Sequence, residues 1–502
     1  MDQRRGRLVN DEGFLRKITD VVGSGRVSRD PDVLRRYGAD ESFATPNPPS
    51  VVVWPTTTEQ VRTIVGLAGE HGVPLVPVSS GGGGRLNGDT VPRVSGACVV
   101  DLSKMNRVLH VDAKNRVVMV EPGVTFERLA QELKRHGLRP LWPLQPRRDK
   151  SALTAALERV PTTIPRYHWD ALDPLLCVEV VFGTGDVFRT GSAAGPGTVE
   201  EQRAAGQVQK NPMGPTQFTI TRTLQGAAGT LGIVTWATLK CELAPSLREV
   251  RFFAANDDAF SDLVDFVGEV LKYRIGDEVF LLNAPALARL VETAPEKFPP
   301  EFVVPVVLSG RGQFAADRVE YLLGDLSDLA AKHPGVRADA TFGEVDAGRF
   351  LDALDRTCDG NWPARGGGFQ PVFFLTTLDK VVDHWDATRA FLGERAPGLP
   401  PAGLYVQPVV QGSSCHFEVQ VYYDPEDAER ASEAKAAFEG LSQVLADEGA
   451  FFSRPYGSWA SLAFERLRPE GVKLLNGVKR ILDPANVLNP GALCFDAEVG
   501  HQ

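Results

Sequence analysis

Val73–Gly88 reads VPLVPVSSGGGGRLNG: a short β-rich run breaks into two serines, four consecutive glycines, and then Arg85-Leu86-Asn87-Gly88. A strand that ends in a glycine run lets backbone N–H groups converge on an anion, because the missing Cβ permits positive φ and close approach. A dinucleotide pyrophosphate suits such a cradle; a flexible turn is the alternative reading of the same glycines. The order of residues departs from the two common phosphate loops, since neither G-x-G-x-x-G opening a helix nor G-K-[ST] after the glycines is present. Upstream, SVVVWP (50–55) reads as a strand, and TTEQVRTIVGLAGEHG (57–72) as a Thr-capped helix with Val61, Ile64, Val65, Leu67 and Ala68 on one face. Downstream, strand signals recur at Cys98–Leu102, Val108–Asp112 and Val117–Glu121, and EPGVTFERLAQELKRHG (121–137) reads as turn, cap and amphipathic helix. The first half is thus an α+β unit.

Gly191–Gln217 is polar and rich in Gly and Pro, which predicts a surface loop or lid. After Leu243 a second α+β unit begins. It contains REVRFFAAN, the helix-like DDAFSDLVDFVGEVLKYRIG, the strand HFEVQVYYDP, and the helix-like EDAERASEAKAAFEGLSQVLADEG. The tail GVKLLNGVKRILDPANVLNPGALCF reads as a helix stopped at Asp483-Pro484, followed by a turn at Pro490-Gly491.

Composition bounds the function. The 502 residues predict two or three core-bearing units, and 43% hydrophobic with 24% charged residues is ordinary folded-protein usage. Lys+Arg 54 against Asp+Glu 64 gives a net charge of −10 without a basic face, which argues against nucleic acid. No run of about 18 apolar residues exists to span a bilayer, and no leader-like apolar core follows Arg4, Arg5 and Arg7, so a cytoplasmic location is expected. Six scattered cysteines without a CxxC pair encode no disulfide framework, haem attachment, iron–sulfur cluster or other metal site.

Read together, SVVVWPTTTEQV, VPVSSGGGGRLNG, PRVSGACVVDLSKMNRVLHVD, VVMVEPGVTFERL, VEVVFGTGDVFRTG, GAAGTLGIVTWATLK and DPANVLNPG resemble, in order and spacing, flavoproteins of the vanillyl-alcohol oxidase and para-cresol methylhydroxylase type. The resemblance covers roughly residues 46–244 and the tail. It implies an α+β fold with an N-terminal helical segment (1–45), an FAD-binding domain (46–244), a substrate or cap domain (245–475), and a C-terminal helix and tail that pack back on the FAD domain (476–502). It also implies an FAD-dependent oxidoreductase. The pyrophosphate would be wrapped by Ser79, Ser80, Gly81, Gly82, Gly83, Gly84, Arg85 and Asn87, with Glu121, Gly123, Val124, Gly229, Gly232, Ile233 and Val234 as further walls of the flavin site. Small residues from Gly226 to Gly232 suit backbone lying flat against a planar ring. One departure is KSALTAALERVP (150–161), where relatives often have glycines. No His lies in the glycine loop and neither His nor Tyr in ARGGGFQPVFF (364–374), so noncovalent FAD is expected.

On the substrate side the resemblance places an acid at Asp170 and an anion-gripping guanidinium at Arg454, while two family tyrosines are replaced by Asn87 and Ser453. Tyr456 and Tyr167 are candidate substitutes. Period-two alternation in HFEVQVYYDP puts His416, Glu418, Gln420 and Tyr422 on one face. That polar face is either solvated or part of the site; in the latter case His416 and Glu418 are acid/base candidates, with His168 as second choice. The expected reaction is hydride transfer from an alcohol or benzylic carbon of a small, aromatic alcohol-like or para-substituted phenolic substrate to flavin. Electrons would then pass to oxygen, a cytochrome, an iron–sulfur protein or a quinone, as in an oxidase or dehydrogenase that forms homo-oligomers. Two alternatives stand beside it: a 2-hydroxy acid dehydrogenase of the same fold, although no H-G-H pattern is present, and a noncatalytic FAD-binding subunit.

Overall fold

The computed structural model describes residues 12–165, 174–214, 219–298, 302–410 and 414–500. Around the glycine loop, Val27–Ser28, Val51–Val53, Cys98–Asp101 and Leu75–Val78 form a four-stranded sheet in that order. The last three strands run parallel, which requires crossovers. One is the helix Thr58–His71: the Thr57 hydroxyl accepts from the Gln60 N–H, and Gly72 ends the helix at φ 63°. Its buried face, Val61, Ile64, Val65, Leu67 and Ala68, packs with Val51, Val53, Leu75, Cys98 and Val100.

The second sheet is antiparallel, in the order Val108–Asp112, Val117–Val120, Gly232–Leu243, Leu175–Phe182 and Val187–Arg189, with Leu138–Pro140 also pairing to the long strand Gly232–Leu243. The departure at 150–161 is a real helix, Ala152–Leu157, capped by the Ser151 hydroxyl. The polar stretch expected to be loop contains a helix too, Val199–Ala204. Thr198 and Glu201 form a reciprocal capping box, and Val199 and Gln202 are buried beneath it. Local capping, which composition does not reveal, decides that segment.

The third sheet carries eight strands: Arg337–Asp339, Leu247–Ala255, Phe302–Gly310, Leu281–Asn283, Gly403–Val410, Ser414–Tyr423 and Gly368–Thr376 in order, with Glu278–Val279 attached to Phe302–Gly310. Alternation sends Val250, Phe252 and Ala254 into one core, and Phe253 and Ala255 into the other. The helices Phe260–Lys272, Ala315–Ala330 and Ala428–Asp447 cover the second face. A buried carboxylate joins this unit to the second sheet. Glu278 receives Arg139 at 2.8 Å, Arg248 at 2.9 Å and the Thr163 hydroxyl at 3.1 Å. Burial acts to raise its carboxyl, but the two guanidiniums hold it below the usual carboxylate range.

The tail helix Pro469–Leu482 ends in a buried ion pair. Lys479 Nζ meets Asp483 at 2.5 Å and donates to the carbonyls of Thr230 and Leu488 at 2.7 Å, while Asp483 accepts the N–H groups of Val487 and Leu488. Leu488 then bridges Leu75, and Asn489 Nδ2 donates to the Ala228 carbonyl at 2.8 Å. These bonds fix the tail against both glycine-rich runs.

Candidate active site

Both glycine-rich runs, the helix Ala152–Leu157 and one face of the third sheet open onto a common cavity. On its first wall are Ser79, Ser80, Gly84, Arg85 and Asn87 from the loop, and Gly229, Gly232, Ile233 and Val234 from the second run. The N–H groups of Gly81 through Asn87 donate to nothing among the described residues, whereas Gly88 N–H is taken by Asp40 at 2.6 Å. Partly exposed backbone donors of this kind are open to an acceptor from outside the chain. A diphosphate supplies one, so the chain's own geometry fits the pyrophosphate of FAD. Gly229, at φ 70°, seals the meeting of the two runs, for a Cβ there would stand 2.3 Å from Pro77 Cγ. At Gly83, by contrast, a Cβ meets nothing within 4 Å.

Other loop residues serve the cradle from behind. The Arg85 guanidinium donates to the carbonyls of Arg36 and Ala39 and to Thr90, which pins the loop to the N-terminal segment. Ser79 pairs with the Thr154 hydroxyl, and Ser80 Oγ accepts the Ser151 N–H at 2.9 Å. Gly81 and Gly82 pack against Asp101 and Asp149, where side chains would collide. Glu121, Gly123 and Val124 are behind the wall. Glu121 is buried on Arg107, Gly123 N–H donates to the Met105 carbonyl, and it is Pro122 and Phe126 that reach the cavity.

Opposite stands a wall of side chains. His416 and Glu418 from Ser414–Tyr423 line it with Phe369, Pro371 and Phe373 from Gly368–Thr376, and Tyr405, Arg454 and Tyr456 complete it. His416 is 3% exposed; its Nε2 is 3.3 Å from Glu418 Oε2, and Gln420 and Tyr422 continue the hydrogen-bonded row at 2.8 and 2.5 Å. The expected polar face is therefore buried. Burial lowers the His416 imidazole below its ordinary value, against the raising effect of Glu418. Arg454 stacks 4.2 Å over the Phe373 ring and has no carboxylate partner among the described residues. Tyr456 is 6% exposed and its hydroxyl has no hydrogen-bond partner among the described residues. The Tyr405 hydroxyl is used internally, donating to Gln407 at 2.9 Å.

Several cavity residues were not singled out by sequence, among them a charged trio. Lys150 bridges both oxygens of Glu158 at 2.8 and 2.9 Å, and Asp89 sits beside them. Burial and the Glu158 charge push the Asp89 carboxyl up to about 6. The charged ends of the departing segment carried the signal, for Lys150 and Glu158 flank a one-and-a-half-turn helix. Asp170, Tyr167 and His168 are outside the described residues. Among the described residues no three His, Cys, Asp or Glu side chains are placed to hold a metal, and no helix is long and apolar enough to cross a membrane.

Comparison with known proteins bears on the domain that carries the glycine loop. Residues 49–191 match the family described as FAD binding domain. The flavoprotein subunit of 4-cresol dehydrogenase (hydroxylating) from Pseudomonas putida is 24% identical, covering 96% of this chain and 95% of that protein. The mitochondrial D-lactate dehydrogenase (cytochrome) of Arabidopsis thaliana is 25% identical over 89% of this chain and 74% of its own length. Among solved structures, p-cresol methylhydroxylase with substrate bound superposes with a TM-score of 0.80 at 20% identity, over 96% of each chain. Residues 49–191 thus form an FAD-binding domain, the chain is an FAD-dependent oxidoreductase, and along nearly its whole length it is similar to flavoproteins of the 4-cresol dehydrogenase type, whose α+β fold it shares.

Proposed function

We propose that this enzyme oxidises a para-substituted phenol or related aromatic alcohol, and that Arg454, Tyr456 and His416 manage its oxygen atoms. The observation that carries the reading is a pair of donors, Arg454 and the buried Tyr456 hydroxyl, without acceptors among the described residues, in a cavity walled by Phe369, Phe373 and Trp362. The glycine runs would hold FAD, which would supply the two-electron acceptor for a hydride. The aromatic walls orient a flat ring. Arg454 holds an ionised substrate oxygen with its permanent charge, and Tyr456 donates a second hydrogen bond to that oxygen. His416, kept neutral by burial and oriented by Glu418, accepts the proton released from a substrate hydroxyl. With Nε2–H directed at Glu418, Nδ1 carries the accepting lone pair.

A second reading keeps the same residues. A guanidinium grips a carboxylate as readily as a phenolate, and the D-lactate dehydrogenase relative makes a 2-hydroxy acid the competing substrate. Anaerobic titration of the FAD-loaded protein with para-alkylphenols, benzylic alcohols and 2-hydroxy acids in turn separates them. Bleaching by a phenol or aromatic alcohol supports the proposal; bleaching by a hydroxy acid alone overturns it. Readmission of air then tests the acceptor, since rapid recolouring marks an oxidase and slow recolouring a dehydrogenase that hands electrons to a separate carrier.

A further inference from the structure

Behind the active-site wall is a second hollow. Gln145, Arg147, Asn361 and Trp362 line the cavity, while Arg148, Cys358, Asp359 and Arg365 line the hollow, so the same two chain segments separate them. These segments are joined back to back: Arg147 bridges Cys358, and Arg148 N–H donates to the Cys358 carbonyl at 2.9 Å.

Four guanidiniums converge there, from Arg148, Arg289, Arg356 and Arg365, against the carboxylates of Glu292 and Asp359. The pairing is unequal. Glu292 serves both Arg356, at 2.5 Å, and Arg365, at 3.1 Å, and Asp359 serves the exposed Arg148 at 2.9 Å. Arg289 is half-buried, stacks 3.8 Å over the Tyr422 ring and donates to the Arg365 carbonyl, but it has no carboxylate partner among the described residues. Arg365 is held in place by the carbonyls of Arg289 and Leu290, both at 2.9 Å. Both guanidiniums are thus fixed by backbone carbonyls, and Glu292, shared between Arg356 and Arg365, leaves Arg289 without an acid. In a chain of net charge −10 this is a concentrated positive site.

We infer that this hollow binds a small dianion, a phosphate-bearing molecule or a dicarboxylate, between Arg289 and Arg365, with Arg356 and Arg148 closing over it. Planar guanidiniums with fixed orientation match the paired oxygens of either group. Burial lowers both Arg289 and Arg365 from their ordinary values, a desolvation penalty that a bound anion offsets. Tyr422, beneath Arg289, is the far end of the hydrogen-bonded row that begins at His416, so the hollow and the active site share one buried polar strand face.

The test is calorimetric titration of the FAD-loaded protein with inorganic pyrophosphate and, separately, malonate, at constant ionic strength with chloride as control. Saturable binding of either above the chloride control is expected; both arms binding defines a general dianion site, and one alone names its chemistry. Arg289→Gln should weaken that binding by about tenfold to a hundredfold, from loss of charge-assisted hydrogen bonds. The exposed pair Arg148→Gln/Arg356→Gln provides a variant that disturbs no buried contact, and it should weaken binding severalfold. Heat indistinguishable from chloride, unchanged affinity in both variants, or release of FAD as pyrophosphate binds would each overturn the proposal, the last by making the hollow part of the cofactor site.

Discussion

The two walls of the active-site cavity are built from different materials. On the side proposed for the cofactor the chain offers backbone: N–H groups from Gly84 to Asn87 that donate to nothing among the described residues, and small residues at 226–232 held by the tail. On the substrate side it offers side chains projected from a sheet face, with charge and hydroxyl groups placed among aromatic rings. A backbone cradle recognises the shape and charge of its ligand, and its tolerance is set by steric space. A side-chain wall recognises what is particular to one enzyme, and its tolerance is set by charge and hydrogen bonding.

Perturbing the support of the cradle should have the largest effect on the folded state. Lys479→Met leaves Asp483 buried and uncompensated and should destabilise the protein by about 3–5 kcal/mol, read as a lowered denaturation midpoint together with weakened FAD retention. A midpoint within error of wild type would show that the tail does not hold the cradle. Across the cavity, Arg454→Ala should lower kcat/KM for the bleaching substrate about a hundredfold or more while flavin content stays whole. Loss of flavin in that variant would dissolve the division between the two walls.

His416→Gln should cost about a hundredfold in kcat, within the usual range for a general base, and alter the pH profile. Because burial lowers the imidazole from 6.5, the accepting neutral form is present above that value and is lost only as pH falls below it. The acid limb of kcat/KM should therefore lie below 6.5 in wild type and disappear in the variant; a limb that persists assigns it to another group, for which Asp89 is the nearest candidate. On the cradle side, Gly229→Val should empty most of the FAD site by driving a side chain into Pro77, whereas Gly83→Ala, with open space before it, should retain full occupancy. Equal occupancy in both would remove the steric argument. The smallest effect is expected for Tyr456→Phe, a rise of about threefold to tenfold in KM from loss of one hydrogen bond; no change would take that hydroxyl out of substrate binding.

Much of the cofactor half was legible because its determinants are local. Glycine runs, a Thr cap at Thr57 and the Asp483-Pro484 stop announce backbone conformation within a few residues of themselves. Alternation in HFEVQVYYDP likewise assigned His416, Glu418, Gln420 and Tyr422 to one face. Whether that face met water or the cavity was beyond it, since period two defines two faces but not what covers them. The helix Val199–Ala204 was missed because a capping box outweighed a composition typical of loops.

By itself, then, the sequence determined the α+β alternation, the glycine loop after its strand and the FAD-binding domain around it, each encoded in short-range patterns of glycine, proline and apolar spacing. Only the tertiary structure decided which side chains face the cradle. It set Arg454 on Phe373, left the Tyr456 hydroxyl without a hydrogen-bond partner among the described residues, buried His416, and brought Lys150, Glu158 and Asp89 to the same space. These residues lie up to hundreds of positions apart, and their proximity follows from sheet register and the closure of the third sheet over the glycine loop, which no local pattern records.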